Sequence, residues 1–360
     1  MKKLLSIALL FIGSMLMIAP AANAIAEQTN YSTETVFITI AAVAIGLSLI
    51  SEKRAGFANG VEVEIWVNYI IERLWKDNMF LKYAFSDDDK VLAGKIVHIP
   101  QPGSKPTVVK NRSSFPAAAV RRTDTDIVYS LDEYSTDPTH VQDAEKVELS
   151  YDKIDSVYGD HAGVITETAG DDLIIKWLTG INASSKLLTT GGATAATAPS
   201  ATGNRKLFTP ADVRRAMTKF NVDNIKKQER YAAIPSNLLD QLVESLSQTQ
   251  YKDFSQYMDA STGVIGKLYS FNIIDRSSVA ISNSSNVVKA LGAVGATTDN
   301  EVAIFWQKNA VARALGEVKF FENLNDPQYY GDVYSSLLRM GGRRRREDDK
   351  GIIMLNQDAA

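Results

Sequence analysis

From His140 to Leu178 the apolar residues recur at helical spacing. Val147, Tyr151, Ile154, Tyr158, His161 and Ile165 step by three and four, and Ala169, Leu173 and Trp177 continue the stripe. Asp137 and Pro138 stand where such a helix would start. Thirty-odd residues at 1.5 Å each would span roughly 50 Å. That is longer than a compact domain needs. Gly159, Gly163 and Gly170 oppose one unbroken helix, at about 1 kcal/mol each relative to alanine.

The segments on either side narrow the choice further. Glu62 to Trp75 places Ile65, Trp66, Tyr69, Ile70, Leu74 and Trp75 on one helical face, with Trp66 expected to fill an apolar pocket. Val91 to Tyr129 reads as β structure. Lys95 to Pro100 alternates and stops at proline, Thr107 to Lys110 could return antiparallel, and Asp126 to Tyr129 could be another strand. Asn111 to Thr125 between them is polar and carries Arg112, Arg121 and Arg122. Such an excursion has little core of its own, and an isolated hairpin is marginal in water. It must lean on the rest of the chain or on a neighbouring subunit.

Beyond the long helix, Ser184 to Asn204 is rich in Thr, Ala, Gly and Ser and reads as a loop or linker. Thr209 and Pro210 give an N-cap and a first-turn proline for a helix through Phe220. Tyr231 to Ile234, Lys267 to Asp275, Val302 to Gln307, Val318 to Glu322 and Gly351 to Leu355 read as strands, with a helix over Leu238 to Leu246. The fold class is α+β.

With 360 residues the chain can form two or three packed units. Its formal charge of −3 creates no global field for nucleic acid, and the absence of cysteine excludes disulfides, Cys zinc sites and thiol nucleophiles. His98, His140 and His161 stand far apart and read as packing or solvent residues. Asp87-Asp88-Asp89 reads as an acidic turn rather than a cation site. The glycines at 191 and 192 lack the spacing and Lys-Ser/Thr of a phosphate loop. Asp171 and Asp172 point about 100° apart on a helix, poor geometry for paired acid–base work. Arg343 to Arg346, followed by Glu347-Asp348-Asp349, read as a charged hairpin tip, with a contact to an acidic patch on another subunit as the alternative. No catalytic, cofactor-binding or metal residue is expected, and the chain is not expected to be an enzyme.

The N-terminus is discordant. Lys2 and Lys3, the apolar stretch Leu4 to Ile18, and Ala22-Asn23-Ala24 have the layout of a secretory signal peptide. Val36 to Ile50 is a second apolar run, fifteen residues without a charge and slightly short for a membrane span.

Arg313 to Gly342 resembles the closing strands of the major capsid proteins of tailed bacteriophages, in particular those of phages and prophages of Bacteroides-like hosts. Four blocks extend the resemblance over about residues 57–357. They are Glu64-Ile65-Trp66 with Asn78, Phe80 and Gly94 to Pro100; Tyr134 to Pro138 with Glu148 to Lys153 and Asp160-His161; Thr190-Gly191-Gly192 through Gly203 to Phe208; and Asn300 through Trp306-Gln307-Lys308 to Arg313. Residues 1–54 do not fit it and are expected to be absent from the mature fold. The resemblance implies the tailed-phage capsid fold, also shared by herpesvirus capsid floors. That is an N-terminal arm and helix over 55–86, an extended β loop over 87–138, and a spine helix of the peripheral domain over 139–183. A linker and peripheral-domain helix over 184–230, an axial domain over 231–317 and returning peripheral-domain strands over 318–360 complete it. It also implies a subunit that assembles with itself, as pentamers and hexamers, into the icosahedral DNA-containing head, with its extended loop lying over a neighbouring subunit. Scaffold, portal and decoration proteins would be further partners, packaged double-stranded DNA a weak and non-specific one, and the virion the place of residence. The rival expectation, resting on residues 1–50, is an exported, membrane-anchored bacterial protein of structural or binding type.

Overall fold

The computed structural model describes residues 66–92, 96–101, 103, 106–113, 115, 116, 119, 121–142, 153–259 and 261–360. The leader-like residues 1–24, the apolar run 36–50, the start of the helix expected from Glu62, and the stripe residues Val147 and Tyr151 lie outside them. The chain divides into two units, 1–66 and 67–360, and the second carries the architecture.

A helix over 66–77 (α1) leads to Phe85–Ser86 (β1). An antiparallel unit of Val91–Leu92 (β2), Ile96–Gln101 (β3) and Thr125–Ser130 (β4) follows. Asp132–Ser135 (β5) and Thr139–Gln142 (β6) precede the long helix, Lys153–Leu178 (α2). The short strands Lys186–Leu188 (β7), Ala193–Ala195 (β8) and Asn204–Lys206 (β9) lead to Pro210–Val222 (α3). Next come Arg230–Pro235 (β10), Ser236–Glu244 (α4), Gln248–Ser255 (α5), Val264–Leu268 (β11), Phe271–Arg276 (β12), Ala280–Ser282 (β13) and Asn300–Gln307 (β14). Val311–Asp326 (β15), Gly331–Arg344 (β16) and Ile352–Asn356 (β17) close the order.

Two sheets organise these elements. In the first, β15 and β16 form a hairpin of 16 and 14 residues, flanked by β1 on one edge and by β5 and β6 on the other. At about 3.3 Å per residue the hairpin reaches roughly 50 Å, far beyond the five or six residues of an average strand. On β16 the even-numbered residues Tyr334, Ser336, Leu338 and Met340 are buried, as alternation requires of a strand with one face against a helix. Residues 316 and 317 of β15 oppose Arg339 alone, because Leu315 pairs with Met340 and Val318 with Leu338. This bulge moves the even residues of β15 from one face to the other. Ala312 and Ala314 pack beneath β3 and β4 with Val97, Ile99, Ile127 and Tyr129. Phe320, past the bulge, meets Tyr158 of α2 instead, with ring centroids 4.8 Å apart.

The second sheet has seven strands, in the order β11-β12-β10-β14-β17-β7, with β13 also on β14. All eight residues of β14 are buried, as expected of a central strand covered on both faces. One face carries the main core, where Phe305, Phe271 and Ile353 meet Phe220 of α3, Leu238 and Leu242 of α4 and Phe254 of α5. Helix α3 begins with the expected cap. The Thr209 hydroxyl and backbone N–H donate to Asp212, and Pro210 opens the first turn.

The structure corrects several expectations. His140 lies in β6, not in the long helix, which is seen from Lys153. That helix passes Gly159, Gly163 and Gly170 without a break. Its glycine face is where α1 and the turn after it come closest: a Cβ at Gly170 would sit 2.1 Å from Asn78 Oδ1, and one at Gly163 2.9 Å from the Arg73 guanidinium. Asn78 Nδ2 donates to Thr166 O and Arg73 Nη1 to Gly159 O. Thr107 to Lys110 form no strand, since β3 pairs directly with β4 and leaves Val108 92% exposed. Lys267 to Asp275 is a tight hairpin turning at Tyr269, where φ is positive, not one strand. Ser184 to Asn204 is no free linker. It supplies β7 to the second sheet and pairs β8 with β9. Trp66 is half-buried, while Ile70 and Leu74 take the buried positions of α1.

The glycine face makes a paired prediction. Gly170→Ala will lower stability by about 1–3 kcal/mol, because the Asn78 carboxamide must move. Gly159→Ala meets only an Arg73 nitrogen at 4.0 Å and will raise stability by up to about 1 kcal/mol through helix propensity. Thermal melting of the two variants should shift in opposite directions.

Candidate assembly surfaces

The two sheets meet α2 and residues 78–90 at an aromatic junction. The Trp177 indole is fully buried, with Phe80 edge-on at 5.9 Å and Trp306 at 5.9 Å. Each indole N–H is committed to a backbone carbonyl. Trp177 Nε1 donates to Ala312 O of the first sheet, and Trp306 Nε1, from the second, donates to Tyr83 O. Gly342 on β16 makes room, since a Cβ there would stand 2.4 Å from Leu173 and 2.5 Å from Ala312 O.

Two largely covered arginines flank this junction. Arg313 stacks on Trp75 at 4.0 Å, donates to Leu81 O and pairs with Asp88 at 3.0 Å. Arg276 lies over Phe80, pairs with Asp171 at 2.6 Å and donates to Asn78 Oδ1. Burial holds the Arg313 and Arg276 guanidinium groups below their ordinary range, although Asp88 and Asp171 oppose the shift. The acidic turn is therefore divided between structural partners. Asp87 is buried and pairs with Lys90, while Asp88 also accepts from the Leu315 N–H. Asp171 and Asp172 diverge as their spacing implies: Asp171 goes to Arg276 and Asp172 to Tyr134 and Lys176. Among the described residues no group of three His, Asp or Glu side chains could hold a metal, and no helix is long and apolar enough to cross a membrane. Gly191 stands before β8, where its N–H donates to Leu207 O just past β9.

Arg343 to Arg346 do not form a hairpin tip. They end β16 and begin the passage to β17, which belongs to the other sheet. Arg344 pairs with the buried Asp349 and donates to the carbonyls of Trp177, Thr179 and Gly180, so it closes the end of α2. Arg343 donates to Val128 O, and Arg345 stacks on Phe85 at 3.7 Å. Arg346 holds the Asp348 carboxyl down at about 2. Sequence spacing could not show most of these contacts, because Arg343, Arg344 and Arg345 each reach a residue over 150 positions away.

The extended loop divides into a packed base and an exposed end. Its base, β3 and β4, leans on Ala312 and Ala314 of the same chain. Beyond Gln101 and before Thr125, Val108, Val109 and Phe115 are exposed. Of the histidines, His98 pairs with Asp126 on the loop and His140 packs against Tyr329. His161 is buried, hydrogen-bonds to Thr136 Oγ1 at 2.7 Å and lines a cleft of about 640 Å³ between α2 and the β5–β6 connection.

Two predictions follow from these contacts. Arg344→Ala will cost about 3–5 kcal/mol, because it strands the buried Asp349 carboxylate. Arg346→Ala, at an exposed pair, will cost no more than about 1 kcal/mol. Burial holds the His161 imidazole below its ordinary value, against a weaker upward pull from Asp160. The unfolded chain therefore takes up this proton more readily. Stability is full above about pH 6.5 and falls as pH drops below it. His161→Gln will flatten that part of the profile in urea titrations between pH 5 and 8.

Compared with solved structures, the chain is similar to the capsid structure of the Cyanophage P-SCSP1u, with a TM-score of 0.54 and 17% identity over 77% of this chain and 86% of that one. It is similar to the capsid of Ralstonia phage GP4, with a TM-score of 0.54 and 13% identity over 77% and 87%. The Cyanophage Pam1 capsid asymmetric unit gives a TM-score of 0.54 and 10% identity over 78% and 92%. No protein-family model and no curated protein matches the sequence. The chain has the phage capsid fold. At these identities the likeness is one of fold, and it carries no particular host.

Proposed function

We propose that this protein is the major capsid subunit of a tailed phage or prophage, and that its work is self-assembly into the icosahedral head. The observation that supports this most is the fold itself. It combines a β3–β4 loop with Val108, Val109 and Phe115 exposed at its end, a helix of 26 residues and a two-stranded arm of 16 and 14 residues, held on one aromatic junction. The first sheet with α2 serves as the peripheral domain. The seven-stranded sheet with α3, α4 and α5 serves as the axial domain, and it takes in β7 and β17 from outside 231–317. Copies of the chain form pentamers and hexamers, and the virion is its location. Lateral contacts of modest size, repeated many times, stabilise such a shell. Scaffold, portal and decoration proteins are further partners, with weak contacts to packaged double-stranded DNA. The reading assigns no catalytic chemistry and no cofactor.

Electron microscopy of the expressed chain tests this. Closed shells or capsomer rings are the expected result, whereas small monodisperse particles alone would overturn it. Trypsin adds a second readout. Lys110, Arg112, Arg121 and Arg122 are exposed, so it will cut the free subunit there and spare the assembled shell. Equal cutting in both states would place the loop outside the subunit contacts.

A further inference from the structure

Three buried polar atoms at the root of the extended loop have no hydrogen-bond partner among the described residues. They are Asp87 Oδ2, the Tyr129 hydroxyl and Arg345 Nε. Asp87 is 1% and Tyr129 8% exposed. Each atom comes from a different element. Asp87 follows β1; its N–H donates to Arg313 O and its Oδ1 pairs with Lys90 at 2.9 Å. Tyr129 stands on β4, with its ring in the small core of Val97, Ile99, Ile127, Ala312 and Ala314. Arg345 opens the passage from β16 to β17. Its N–H donates to Ala310 O, its carbonyl accepts from Gln101 at the neck of the loop, and its guanidinium lies on the Phe85 ring at 3.7 Å.

The three atoms face one another. Burial raises the Tyr129 hydroxyl well above its ordinary range, the negative charges of Asp87 and Asp88 push it further, and Arg345 pulls it back. Charges shift such a group when they lie within about 4–6 Å. The hydroxyl approaches Asp87 without the geometry of a direct bond. It keeps its proton, so it can both donate and accept. Asp87 Oδ2 can only accept and Arg345 Nε–H can only donate. A cation at the meeting point would be repelled by Arg345 and Lys90, and an anion by Asp87 and Asp88. A water is neutral and has two donors and two lone pairs. It matches all three atoms, and buried waters commonly bond about three protein groups.

We infer that Asp87, Tyr129 and Arg345 hold one internal water, which joins the root of the extended loop to the body of the subunit and to the passage between the two sheets. The water donates to Asp87 Oδ2 and to the Tyr129 oxygen and accepts from Arg345 Nε–H. This gives the tyrosine its reason. A phenylalanine ring would fill the apolar core as well, and only the hydroxyl reaches the ionic groups. The assignment concerns a single subunit and stands whether or not the chain forms shells. A direct hydroxyl–carboxylate bond would pin the root in one position. A water shared by three groups lets β4 shift slightly with every group still satisfied.

A density map of the full chain that resolves ordered water tests this. A peak about 2.7–3.2 Å from all three atoms is expected. Tyr129 bonded directly to Asp87, with no peak, would overturn the site. So would a peak that bromide replaces on soaking, which would make it an anion. Hydrogen exchange gives the second readout. Tyr129→Phe keeps the ring and removes one of the water's three anchors. Exchange of the β3–β4 amides should then rise about five- to tenfold, while that of the β10–β14 amides in the second sheet stays unchanged. Unchanged exchange in β3–β4 would show that the water does not hold the loop's root. Equal rises in both sheets would assign the loss to the whole fold and likewise overturn the local role. The map needs no variant, so the site stays testable if Tyr129→Phe does not fold.

Discussion

The architecture depends on two indole N–H groups. Trp177 and Trp306 are fully buried, and a buried donor without an acceptor costs about 1–3 kcal/mol. Each can be satisfied only if a particular carbonyl lies beside it: Ala312 O for Trp177 and Tyr83 O for Trp306. The first bond ties the long helix to the first sheet. The second ties the second sheet to the segment after α1. Phe80 packs edge-on against Trp177. Hydrophobic contact alone would allow these layers to slide, whereas the two directional bonds fix their relative position.

The ionic groups around the junction serve the same end at a higher cost. Arg276 and Arg313 are largely buried, and removing a guanidinium from water is expensive even beside a carboxylate. Each is compensated three ways, by an aromatic ring, by a carboxylate and by a neutral acceptor. Such groups contribute specificity of arrangement more than net stability. They also account for Asp88 of the acidic turn and for Asp171, whose charges are paired inside the subunit.

Local signals in the sequence were read well where one element explains itself. Thr209 and Pro210 marked α3, and the apolar run at 302–307 marked β14, because a cap and a doubly buried strand leave short-range traces. The α+β class and the exposed, coreless end of the loop were legible for the same reason. The long helix was foreseen through its stripe, but its start was misplaced, since His140 continues the spacing by chance while pairing in β6 with Val333. The glycines in that helix looked like a weakness because their purpose lies on another element, at Arg73 and Asn78. The cleft was invisible for a similar reason: Asp137, Asp160 and Val164 form a surface only after β16 has aligned β5 against α2. Arg343 to Arg345 were misread because they reach residues distant in sequence, at Val128, Trp177 and Phe85.

Residue patterning alone showed the hairpin of β15 and β16 only as Val318 to Glu322, and the cause has a wider consequence. A second bulge stands near its end, where residues 324 and 325 oppose Asp332 alone. Each extra residue breaks the alternation by which strands are recognised, and each also bends the strand and increases its twist. An unbulged pair of this length would be a nearly straight ribbon. With two residues inserted on the same strand, the ribbon has a longer and a shorter side, as a curved track has. A tile for the closed shell proposed above would need curvature somewhere in its own body. Here that curvature is written as a difference in residue count between two neighbouring strands, and deleting either extra residue would straighten the tile and turn the side chains beyond it to the opposite face.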